Sequence, residues 1–382
     1  MSVNKVEINN KTVLDLTTDT VTANDLTFAK KAHDSAGLSI VGKNPIGYNG
    51  SKLIVVDTSK VDEGIDITYP GYPTKTLTLG SIEGNWINTS LPTSAQWYSV
   101  AYGAGRFISL NHGTGYGSSS FIYSVDDGIT WKSGTLPISG NWYLIKYLGG
   151  KFISFNRTNG SNVGIYSLDG ITWVQFSLPE ISTYSTWEDI DYGNGIYIAV
   201  TNTSTGNSII ARSTDGINWT SHAAPVTTGG HIAFGDGKFV AKGANGELFY
   251  SEDGINWTLE SQTLTSATLR FGNGIFVAPS VDTYGSNKFA YSEDGINWTQ
   301  GTFPSTARWY NVHYGNGRFI ITIAGSSNTA LQSFNGINWD IISMPGNYSW
   351  YALAYGKSNF VALANQKNIG AYKNSESGLI LT

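Results

Sequence analysis

Three acidic residues stand close together in this chain, Glu188, Asp189 and Asp191. A pair of carboxylates facing one another across a cleft is what glycoside hydrolysis requires. Sequence spacing alone does not bring these three together in that way. The five histidines (His33, His112, His222, His231 and His313) are scattered and show no metal-ligand spacing. There is no cysteine, which excludes disulfides and thiolate metal sites. No metal and no cofactor are expected. His231 and His313 fall on strands predicted to line a central channel, where a satisfied core or surface histidine is the simpler reading.

Aromatic residues carry the stronger pattern. Five tryptophans stand five or six residues before a glycine-rich turn: Trp97, Trp142, Trp187, Trp309 and Trp350. Four are followed by tyrosine, namely Tyr98, Tyr143, Tyr310 and Tyr351. The corresponding places in two neighbouring repeats hold Gly229 and Ser266. These nine residues are a candidate platform on which sugar rings stack. The alternative is packing between adjacent repeats, with tryptophan as a wedge. Neighbouring residues of a strand point to opposite sides, so one of each pair can pack while the other is exposed. Both readings stand on the sequence.

The elements that must position them follow from a second tryptophan series. Trp86, Trp131, Trp173, Trp219, Trp257, Trp298 and Trp339 recur at intervals of 38 to 46 residues. Within each interval lie strand-like runs and paired glycines. The copy from Asn311 to Pro345 reads as four strands, with tight turns at Asn316-Gly317 and Asn335-Gly336. Asn-Gly and Asp-Gly tolerate the positive φ that type I′ hairpins need at both central positions. The first-hairpin signal occurs seven times, from Gly103-Ala104-Gly105 to Gly356-Lys357-Ser358, where the second glycine is lost. A repeat of this length and content predicts an all-β, seven-bladed β-propeller of four-stranded blades. The Trp86 strand precedes the first hairpin, and the last copy has no tryptophan. That offset predicts that the Trp86 strand completes the seventh blade and closes the ring, with Leu379-Ile380-Leu381 adding to it or competing with it.

The turn before each repeat tryptophan is Ser124-Val125-Asp126-Asp127-Gly128-Ile129-Thr130-Trp131 in the first copy. It is one residue shorter in the copies from Ser167, Ser213, Ser251, Ser292 and Ser333, and the last has Asn335 in place of the aspartate. This resembles the Asp-box, or BNR repeat, of sialidases and other propellers. The aspartates are expected to serve their own turns by accepting backbone hydrogen bonds. Sialidase activity would need an arginine triad, a nucleophilic tyrosine and an acid/base aspartate, in a propeller of six blades. This chain has six arginines in all, two of them in hairpin turns. No enzyme is expected.

Charged residues make up only 13% of the 382, and the net charge is −5, against ~25% charged in an average protein. No basic block suggests nucleic acid, and no apolar run is long enough to insert into a membrane. The polar N-terminus, Met1 to Asp15, predicts no secretory signal. Residues 1–80 stand outside the repeat. They combine strand-like runs (Leu53–Val56, Ile65–Ile67), a short helical stretch near Ala23–Lys31 and a turn at Pro70, Gly71 and Pro73. The run Thr17-Thr18-Asp19-Thr20-Val21-Thr22-Ala23-Asn24-Asp25-Leu26 followed by Ala32-His33-Asp34-Ser35-Ala36-Gly37-Leu38-Ser39-Ile40-Val41-Gly42 resembles a short module of tail and baseplate proteins from phages of Gram-positive bacteria. That resemblance spans about a tenth of the chain, and Lys30-Lys31 replaces its usual small residue. It implies a virion component assembled in the host cytoplasm. Residues 1–80 would attach to other tail proteins, and a propeller over 81–382 would bind a bacterial surface polysaccharide or cell-wall glycan in host adsorption. A purely structural tail or capsid decoration is the alternative, and a glycan hydrolase the lesser one. A homo-oligomer is compatible with all three.

Overall fold

A computed structural model describes residues 5–8, 11–15, 65–67, 75–83, 86–113, 115, 117–203, 208–264, 268–280 and 285–381, with side chains between 86 and 373. The tail-module stretch, the helical stretch near Ala23–Lys31, the Leu53–Val56 run, the Pro70–Pro73 turn, His33 and Ser266 lie outside these residues. The chain divides into two compact units, Asn85–Asn374 and Met1–Gly84 with Ser375–Thr382. In the second unit Lys5–Ile8 pairs with Lys11–Asp15, and Ile65–Ile67 with Lys75–Glu83. Leu379, Ile380 and Leu381 pair with Leu79, Thr78 and Leu77. The last eight residues thus group with the N-terminal unit.

The unit Asn85–Asn374 is built from antiparallel four-stranded blades. The first blade is Ala101–Gly103, Arg106–Leu110, Ser118–Ser124 and Lys132–Gly140, paired in that order. Among the described residues six further groups repeat the arrangement, with innermost strands Lys146–Leu148, Ser185–Gly193, Thr228–Gly235, Arg270–Gly272, Trp309–Gly315 and Trp350–Tyr355. Each innermost strand lies beside the next, and the last lies beside the first. In the seventh group the outer strand is Ile87–Ala95, which pairs with the opening part of Lys367–Leu381 through Ile87↔Tyr372, Thr89↔Gly370 and Ala95↔Lys367.

Local chemistry explains the hairpins. Asn194, Asp236, Asn273 and Asn316 have φ between 46° and 50°, and each is followed by a glycine at positive φ, as a type I′ turn demands. The Ser-x-Asp turns are equally local. Asp169 Oδ1 accepts N–H bonds from Ile171 at 2.8 Å and Thr172 at 2.7 Å, while Ser167 Oγ accepts from Gly170 at 2.7 Å. These amide bonds favour the charged carboxylate and hold Asp169 down at about 2. Asn335 takes the same two bonds, from Ile337 at 3.0 Å and Asn338 at 2.8 Å, so the turn needs the oxygen and not the charge.

The core lies between blades. Second strands such as Ile275–Pro279 and Asn359–Ala364 are buried throughout, because both of their faces meet other blades. Every first hairpin carries an aromatic cross-strand pair: Tyr102 with Phe107, Tyr147 with Phe152, Tyr192 with Tyr197, Phe234 with Phe239, Phe271 with Phe276, Tyr314 with Phe319 and Tyr355 with Phe360. The ring of the next blade lies over the glycine that follows such an aromatic. A Cβ on Gly193 would stand 2.2 Å from Phe234, and one on Gly235 2.2 Å from Phe271. These glycines are required by the close approach of a neighbouring ring rather than by their own φ.

Candidate functional site

Up-and-down connectivity gives the ring two faces. First hairpins and Ser-x-Asp turns lie on one. On the other, called the top here, lie the starts of the innermost strands and the loops between second and third strands. All nine residues of the candidate platform belong to the top, and the structure separates them by type.

The five tryptophans do not form an exposed platform. Trp97, Trp142, Trp187, Trp309 and Trp350 are each no more than 2% exposed and rank among the largest fully buried side chains. Each wedges against the preceding blade. Trp142 packs on Ile108, Leu110 and Phe121, Trp187 on Ile153, Phe155 and Phe176, and Trp309 on Ile275, Val277 and Phe289. Trp350 packs on Ile320, Ala330 and Ile342, and Trp97 closes the circle against Val361 and Leu363. Trp142 Nε1 donates to Ser118 O of the previous blade at 2.8 Å. The physical reason is that large flat side chains remove more apolar surface from water at the interblade seam than at the rim.

The residue after the tryptophan turns the other way. Strand register slips directly after Trp187, Trp309 and Trp350. A bulge re-aims its extra residue, and the residues so placed include Glu188, Tyr310 and Tyr351. Tyr98, Tyr143, Tyr310 and Tyr351 are half-buried and converge at the top end of the central channel. Ring centroids lie 4.8 Å apart for Tyr98 and Tyr143, 5.6 Å for Tyr98 and Tyr351, and 5.1 Å for Tyr310 and Tyr351. The hydroxyls of Tyr143 and Tyr310 hydrogen-bond to each other, which links the second blade to the sixth across the channel mouth. Burial raises the pKa of both phenols.

Three polar residues that the sequence pattern did not single out as a group complete the cluster. The Arg157 guanidinium lies 4.0 Å from the Tyr143 ring centroid, a cation–π contact. Its Nε donates to Glu188 Oε2 at 2.6 Å. Burial pushes Glu188 up despite the opposing pull of Arg157. His112 stands edge-on to Tyr98 at 5.1 Å, and its Nδ1 lies 3.1 Å from Gln96 Oε1 and 3.0 Å from Gly113 O. Both of those partners accept only, so Nδ1 carries the proton. Burial lowers the pKa of His112. Gly230 occupies the place a fifth aromatic would take in the fourth blade, where any Cβ would meet Glu188 Cγ at 2.7 Å. Tyr184, 66% exposed, stands on the same face; its neighbour Thr183 lies 3.2 Å from where a Cβ on Gly160 would sit.

Below the tyrosines the channel encloses about 310 Å³. Glu188, Asp189, His231, Arg270, His313 and Lys146 line it. Asp189 pairs with Lys146 at 2.6 Å and accepts from Ile232 N at 3.3 Å; Asp191 accepts from Phe234 N at 2.9 Å. All three carboxylates of the sequence cluster therefore hold neighbouring groups. Burial pushes His231 down to about 4 and His313 to about 3, the latter helped by Arg270. His222 lies apart, against Thr220. Among the described residues no group of three potential metal ligands occurs.

No protein-family model and no curated protein matches the sequence. Solved structures match in shape. YCF48 bound to D1 peptide superposes with a TM-score of 0.56 at 17% identity, over 78% of this chain and 98% of that one. YCF48 from Cyanidioschyzon merolae gives 0.55 at 12%, over 76% and 98%, and BBS1N in complex with ARL6DN gives 0.55 at 12%, over 77% and 98%. At these identities the likeness is one of fold, a β-propeller of four-stranded blades.

Proposed function

We propose that this chain is a tail or fibre component of a bacteriophage virion. Its seven-bladed, Asp-box-type propeller binds a bacterial cell-surface glycan at the tyrosine cluster of the top face. The observation that carries the site is the convergence of four tyrosines with Arg157, Glu188 and His112, drawn from five blades of an otherwise repetitive ring. Ligand sites combine aromatic walls with a few convergent polar groups. Aromatic faces suit the C–H surfaces of a sugar, and the arginine–carboxylate pair suits its hydroxyls. The virion assignment rests on the resemblance over residues 17–42 and on the Tyr-Ser-x-Asp-Gly repeats. Residues 1–80 would hold the propeller to other tail proteins. Many copies on one particle allow each site to bind weakly. Binding without turnover is favoured because Glu188, Asp189 and Asp191 are all engaged in bonds between blades.

A second reading, a structural virion protein, is favoured by a different observation. The Trp wedges and the Tyr143–Tyr310 bond complete the top face without any ligand.

The test is binding of the full chain to intact Gram-positive cells and to purified cell-wall polysaccharide, beside Tyr98→Ala and Arg157→Gln. Saturable binding, weakened about tenfold or more in folded variants, is the expected result. Absence of binding across a broad host panel favours the structural reading. Release of reducing ends from the polysaccharide would instead establish a hydrolase.

A further inference from the structure

The channel below the tyrosine mouth contains a cation that its charged neighbours leave uncompensated. Asp189 is paired with Lys146 and Glu188 with Arg157. Arg270, on the innermost strand of the fifth blade, lines the same cavity and is half-buried. Its Nε donates to Val312 O over a long 3.4 Å, and among the described residues it has no carboxylate partner. A guanidinium carries five N–H donors in a planar fork, and withdrawing it from water is costly without a counter-charge. His313 lies on the adjoining innermost strand, with a buried Nε2 that has no hydrogen-bond partner. Asn311, two residues earlier, spends one amide N–H on Tyr351 O at 3.3 Å and has another to offer. The space of about 310 Å³ is at the small end of ligand sites.

We propose that the central channel binds a small ligand through an anionic group, a carboxylate or a phosphate, seated on the Arg270 guanidinium beside His313 and Asn311. The bidentate fork of arginine fits the planar or tetrahedral oxygens of such groups. The site lies deeper than the tyrosine cluster and does not depend on the glycan reading. The anion can arrive as a free small molecule or as the acidic unit of a larger chain.

Calorimetric titration of the full chain tests this, with inorganic phosphate, glucuronate and glucose as separate probes. One-site saturation by at least one anion and none by glucose is expected. Arg270→Gln should weaken it about tenfold or more. Binding of glucuronate but not phosphate would identify an acidic sugar as the ligand class; binding of phosphate alone would identify a phosphate ligand. No binding of either anion, or unchanged binding in folded Arg270→Gln, overturns the proposal. Should that variant not fold, crystals of the unmodified chain soaked in the anion that bound in calorimetry, with selenate standing in for phosphate, decide the matter. Density for that anion, anomalous for selenate, is expected within hydrogen-bond distance of Arg270, and its absence is fatal. Cell binding plays no part in these readouts, so failure of the host-recognition reading would leave them unaffected.

Discussion

Adjacent residues of similar chemistry meet opposite fates in this protein. Trp142 is sealed into the seam between the first and second blades, while Tyr143 turns to the channel mouth and touches Tyr98, Arg157 and Tyr310. Trp142→Ala should therefore cost stability, about 3–5 kcal/mol, measured by urea unfolding. Loss of ligand binding at unchanged stability would contradict the wedge role. The buried histidines set a pH dependence. His231 and His313 titrate at about 4 and about 3 in the folded chain, against ~6.5 when unfolded. As pH falls below ~6.5 the unfolded chain takes up these protons first, so stability is full above that value and declines toward pH 4. Urea midpoints at several pH values should show this slope, and the pair His231→Gln and His313→Gln should flatten it.

At the scale of the strand and turn, two departures from the repeat compensate each other. The first Ser-x-Asp turn is one residue longer than the rest, and the extra residue is Asp127, at φ 60°. The seventh first-hairpin lacks its second glycine. Asp127 accepts from Lys357 N at 3.0 Å, Ser358 N at 2.9 Å and Ser358 Oγ at 2.7 Å, and Asn359 Nδ2 donates to Asp127 O at 2.9 Å. The irregular turn is thus held by the neighbouring blade instead of by glycine. Asp127→Ala should speed amide hydrogen exchange over residues 356–359 and destabilise the chain by about 1–3 kcal/mol; unchanged exchange there would show that the turn stands alone. Both anomalies were visible in the sequence, but their partnership was not, because some 230 residues separate them.

The whole molecule depends on closing the ring. Ile87–Ala95 supplies the outer strand of the last blade, so the propeller is fastened by hydrogen bonds between residues 87–95 and 367–372. Without it, Lys367–Tyr372 would present an unpaired edge. A chain beginning at Gln96 should lose its single cooperative unfolding transition and self-associate, whereas one beginning at Asn85 should retain it; calorimetry with light scattering distinguishes them. Only neighbours a few residues away govern a type I′ hairpin, a Ser-x-Asp turn or a period-2 strand. For that reason the Asn-Gly and Asp-Gly pairs, the repeat spacing and the offset of the Trp86 strand made the blades, and the strand that completes the last one, legible in the sequence. The direction of a side chain around the ring depends instead on bulges and on the facing blade. Tertiary structure alone therefore decided that the tryptophans are wedges, that tyrosines up to 253 residues apart share one mouth, and that Arg270 faces the channel with no carboxylate partner among the described residues.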